Sequence, residues 1–121
     1  MRIRVMLLGK LYHDHDVDMP HYSVIYNSLL SRIRELRPSE KAIPAQKLIV
    51  EAIEEQHLFF KKWMNADENS VDFRQYHKNK LVRSAHKKLL KAYNILMSAY
   101  PKETAHNRQA FFDHLCALDF L

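Results

Sequence analysis

Eight of the chain's 19 basic residues fall between positions 73 and 102: Arg74, Lys78, Lys80, Arg83, Lys87, Lys88, Lys91 and Lys102. That stretch contains no Asp or Glu, whereas the rest of the chain carries 11 basic against 14 acidic residues, so the net charge of +5 originates here. Clustered cations without acids suit phosphate, because each neutralised phosphate releases condensed counterions and favours sequence-independent contact with nucleic acid. On a helical wheel Lys80, Arg83, Lys87 and Lys91 share a face opposite Val82, Leu89 and Leu96, with Ser84, Lys88 and Asn94 beside them. Just ahead lie Arg74, Tyr76 and His77, residue types that serve phosphate contact and base stacking. The pattern points to Arg74, Lys80, Arg83, Lys87, Lys88 and Lys91 as a nucleic-acid-binding face. It also fits an acidic protein partner, or a solvated face answered by Glu51, Glu54 and Glu55 on the preceding element. Nothing in the spacing identifies a helix-turn-helix, a zinc finger or an RNA-recognition sheet.

Two Glu-x-x-His pairs, Glu54 with His57 and Glu103 with His106, have the spacing by which di-iron bundles aim ligands into their core. The sequence argues against such a site here. Glu54 and His57 are expected off the apolar stripe of their helix, Glu103 and His106 open a helix after Pro101, and the acid-free helix can supply no further glutamate. His13, Asp14, His15, Asp16, Asp18 and His21 form a denser group of ligand types. The expectation for them is a solvated connection in which Asp16 or Asp18 caps the next helix, with no metal and no cofactor.

Arg108 and His114 have Arg-x5-His spacing, which resembles the HEPN superfamily of small all-α domains that often act as metal-independent ribonucleases. That resemblance implies Arg108 as a phosphate ligand and His114 as the proton-transfer group. Six residues on a regular helix turn through about 240°, so the two share a site only where Arg108 precedes the regular turns. His114 equally fits a core histidine, and Cys116 a small buried apolar residue.

These groups must be carried by helices. Residues 2–8 fit either a short strand or a helix, and a helix is the expectation, since a strand would have no partner elsewhere in the chain. Tyr22, Ile25, Tyr26, Leu29, Ile33 and Leu36 recur at three- and four-residue spacing between the start signals Asp18 and Pro20 and the stop at Pro38. A further helix starts near Pro44, with Ala45, Ile49, Ala52, Ile53, Phe60 and Trp63 as its stripe and Gln56 in the middle of it, where a buried amide needs partners. Residues 65–70 are rich in turn formers. After a short turn at Phe73 and Tyr76, the basic helix spans about 79–99, with Val82, Ala85, Leu89, Ala92, Tyr93, Leu96 and Tyr100 on its inward face. The last helix, about 106–119, is apolar around most of its circumference.

The expected architecture is therefore all-α: one compact domain over residues 1–121, a bundle of about four main helices with sequential neighbours antiparallel. Off-stripe Val50 and Leu58, together with the apolar last helix, suggest homodimerisation. The lone Cys116 permits no internal disulfide and fits a reducing cytoplasmic compartment. The lone Gly9 excludes phosphate-binding glycine loops. Apolar runs such as Val5-Met6-Leu7-Leu8 fall far short of the roughly 20 residues that span a bilayer, and the N-terminal segment lacks a small-residue cleavage site. The leading functional expectation is a noncatalytic regulator that binds nucleic acid through its basic helix. The alternatives are a HEPN-like ribonuclease and a protein-only adaptor or self-associating regulator.

Overall fold

The computed structural model describes residues 19–65 and 77–102, together with Ala105, Arg108, Gln109, Phe112 and Asp113. Among the described residues the fold is all-α and contains no strand. Helix α1 spans Met19–Glu35, a single 3₁₀ turn covers Glu40–Ala42, α2 spans Ile43–Asn65 and α3 spans Lys80–Ala99. Residues 2–8 lie outside the described set, as do most of residues 106–119.

Each boundary has a local cause. The carbonyls at the end of α1 would otherwise lack partners. Arg37 Nη1 donates to the carbonyls of Arg34, Glu35 and Leu36, and Gln46 Nε2 donates to Ile33 O at 2.6 Å and to Leu36 O at 3.3 Å. The helix thus stops one residue before Leu36, which is 61% exposed instead of joining the stripe expected of it. Pro44 falls in the first turn of α2, where a missing N–H costs nothing. Asn79 caps α3 by accepting from Leu81 N at 2.9 Å, and Tyr100 N closes its last turn onto Leu96 O.

The central element is α2, which packs on both other helices and more extensively on α3. Contacts of Ser23 with His57 and of Gln46 with Ile33 O make α1 and α2 antiparallel. Those of Glu55 with Ser84 and of Glu51 with Lys88 do the same for α2 and α3. Tyr26, Leu30, Ile53, Phe59, Phe60 and Val82 form one core cluster that joins all three helices. Ala52, Ala85 and Leu89 form a second, between α2 and α3. Complete burial of a side chain the size of Phe60 or Leu89 contributes roughly 1.5–3 kcal/mol each, so these clusters fix which face of α3 is left to solvent. Val50, expected as a spare apolar surface, packs against the first cluster, while Leu58 is exposed.

Candidate nucleic-acid interface

Burial of Val82, Ala85, Leu89 and Ala92 turns the opposite side of α3 outward. Along that side Lys80, Arg83, Lys87 and Lys91 are all exposed and succeed one another at three- and four-residue intervals. None of the ion pairs among the described residues involves them. At 1.5 Å per residue the row is about 16 Å long, the axial length of roughly five phosphates along one strand of a duplex. Leu90 interrupts the row as a 48% exposed apolar group beside Lys91. Just before the helix, His77 and Lys78 are exposed; Arg74 and Tyr76 lie outside the described residues.

Lys88 behaves differently from the other members of the expected face. It is half-buried, with its Nζ 2.7 Å from Glu55 Oε1 and 3.2 Å from Glu51 Oε2. Ser84 Oγ donates to the same Glu55 oxygen at 2.8 Å. The hydrogen bond to Glu55, then the one to Glu51, raise the Lys88 ammonium above its ordinary pKa against the opposing effect of burial. Its charge is therefore neutralised within the domain and joins α3 to α2. Glu54, the third acid considered as a counterweight, reaches across α1 and pairs with Arg34.

Where the row of cations ends, a shallow groove opens between the 3₁₀ turn and the C-terminal half of α3. It offers about 470 Å³ and is lined by Lys41, Lys91, Asn94, Ile95, Ser98 and Ala99. Behind it, Ser39 Oγ and Tyr100 Oη lie 2.8 Å apart and tie the turn to the end of α3. Nothing in the hydrophobic periodicity points to this groove. Lys41 lies outside the basic run, and only the antiparallel return of α3 brings it beside Lys91.

Among the described residues the candidate catalytic and metal groups are not drawn together. Glu54 is exposed and paired with Arg34, whereas His57 is only 6% exposed. His57 was expected off the core face, but α2 is central and buries a second face against α1. There the imidazole stacks on Tyr26, with ring centroids 4.8 Å apart and planes 6° from parallel, and its Nε2 is 3.3 Å from Ser23 Oγ. Burial first, and the Lys61 charge second, lower the His57 pKa below its ordinary value. Among the described residues no group of His, Cys, Asp or Glu is placed to hold a metal ion. Glu103, His106, His114, Cys116 and residues 13–18 lie outside the described set. The Arg108 guanidinium donates to Pro101 O at 2.9 Å.

No helix among the described residues is long and apolar enough to cross a membrane. Compared with known proteins, the chain matches no protein family, no curated protein and no solved structure.

Proposed function

We propose that this protein is a noncatalytic helical-bundle regulator that binds nucleic acid through the outer face of α3. Lys80, Arg83, Lys87 and Lys91 make the phosphate contacts, and Arg74 is a further contact residue in this reading. The observation that carries this reading is the contrast along one helix. Lys88 is answered by Glu51 and Glu55, while the four cations of the outer row have no carboxylate partner among the described residues. Like charges at this spacing weaken a helix slightly, so an unanswered row gains nothing for folding and is best explained by a polyanionic partner. Within this reading the helical residues Ala105, Arg108, Gln109, Phe112 and Asp113 belong to the fourth helix of the bundle, supported by the edge-to-face contact of Phe112 with Tyr93 at 5.7 Å. The protein acts as a cytoplasmic homodimer, and Leu58, exposed on α2, contributes to the self-association surface.

The test is a double charge reversal, Lys80→Glu with Lys87→Glu, read by duplex and single-strand binding over a salt series. With about four phosphates engaged, wild-type affinity for duplex DNA should fall with a log–log slope of roughly −3 to −4, and the variant's slope should be shallower by about two. Both positions are exposed and the reversal relieves like-charge contacts along the row, so the variant should be no less stable than wild type. Absence of binding at low salt, or equal binding by the variant, would refute the reading. Leu90 is the observation that favours a second one, in which an acidic, amphipathic protein segment covers the row. Loss of that partner on Leu90→Ser, in a protein inert toward DNA and RNA, would establish it.

A further inference from the structure

We infer that the groove between the 3₁₀ turn and the C-terminal half of α3 is a phosphate-monoester subsite, distinct from the row of cations that leads into it. Three features converge there. Lys41 and Lys91 line the groove from different elements, and no carboxylate is among the residues that line it. Asn94 and Ser98 lie one turn apart on α3 and supply amide and hydroxyl donors on the same wall. Ile95 and Ala99 complete the lining with apolar surface, which suits the sugar or base attached to a phosphate better than a bare inorganic ion.

Position on the helix decides which groups must hold the anion. The C-terminal end of a helix carries partial negative charge and disfavours anions. An anion in this groove is therefore held by side chains, with Lys41 as the decisive one because it comes from outside α3. Lys91 belongs to both the row and the groove, so a strand tracking along Lys80, Arg83 and Lys87 delivers its end to Lys41. A monoester carries more charge than the diesters along a strand, and a pair of lysines in a recess favours it accordingly. The same chemistry is presented by a strand with a terminal phosphate and by a free mononucleotide. The first source rests on the nucleic-acid reading above, and the second does not.

Two arms of one experiment separate them. In the first, a fluorescent single strand is bound with and without a 5′-phosphate. Wild type should prefer the phosphorylated end by roughly fivefold, the strong end of the range for one exposed ion pair. Lys41→Gln should erase that preference and leave affinity for the hydroxyl-ended strand unchanged, whereas the Lys80→Glu, Lys87→Glu variant weakens both strands together. In the second arm, adenosine 5′-monophosphate is titrated while backbone amide resonances are followed. Asn94 and Ser98 should shift saturably in wild type and not in Lys41→Gln. If no strand binds but the mononucleotide shifts those amides, the subsite stands and the nucleic-acid reading falls. If strands bind with no preference for a phosphorylated end and the mononucleotide shifts nothing, the subsite inference is overturned while the basic row stands. If neither ligand binds, both fail.

Discussion

His57 sits at the seam of α1 and α2, stacked on fully buried Tyr26, and is held neutral by burial and by the nearby Lys61 charge. The unfolded chain protonates this imidazole near pH 6.5, whereas the folded chain resists until the pH is lower. Between those values the unfolded state binds more protons, so stability falls as the solution is acidified through that window and is fully present above it. The acid limb of a denaturant-midpoint profile should therefore flatten in His57→Gln below about pH 6.5. An unchanged acid limb would show that other groups set it. The sequence spacing did not reveal this histidine's burial, because a polar residue one position past Gln56 falls outside a single apolar stripe. Its partners Ser23 and Tyr26 come from another helix, thirty-odd residues away in sequence. Lys80, Arg83, Lys87 and Lys91 were legible by contrast, since exposure on an amphipathic helix follows from the helix's own periodicity.

At the scale of elements, the sequence located α1, α2 and α3 to within a few residues, because each pairs a periodic apolar face with a clear stop or start signal. What it could not supply was the central position of α2. A helix packed on two neighbours buries two faces, so Phe59 joins the core alongside Phe60, and Val50 is partly buried against the same cluster. Lys41 belongs to the same class of omission: the groove it lines exists only because α3 returns antiparallel to α2 and brings Lys91 to the 3₁₀ turn. The start of α3 rests on a local device. Asn79 Oδ1 accepts from Leu81 N, and the helix opens with basic Lys80 and no acid in its first turn to oppose the positive end of the helix dipole. Asn79→Ala should therefore cost about 1 kcal/mol in thermal or urea unfolding, and Asn79→Asp should cost nothing or stabilise slightly. Since Lys80 is the first residue of the helix, fraying in the alanine variant should also weaken binding at the row's N-terminal end. A variant as stable as wild type would mean that tertiary packing of Val82 alone fixes where α3 begins.

Among the described residues the molecule separates its charge: an exposed row of cations lies on α3, and carboxylates of α2 are gathered against Lys88 and Arg34. That arrangement makes folding and binding respond to salt with opposite signs. In the free protein the successive pairs Lys80 with Arg83, Arg83 with Lys87, and Lys87 with Lys91 repel one another, at roughly 0.2–0.5 kcal/mol for each pair. Raising sodium chloride from about 0.01 M to 1 M shortens the screening length from about 30 Å to 3 Å and removes most of that repulsion. The half-buried pairs of Lys88 with Glu51 and Glu55 are screened less, because part of their surroundings is protein. Stability measured by urea unfolding should therefore rise by about 1 kcal/mol over the series, and most of the rise should disappear in the Lys80→Glu, Lys87→Glu variant. Affinity for nucleic acid should fall steeply over the same range, because salt competes with the counterion release that drives phosphate binding. If stability instead declines with salt in the wild-type protein, the row is compensated by carboxylates within the chain. The argument for a polyanionic partner would then lose its foundation.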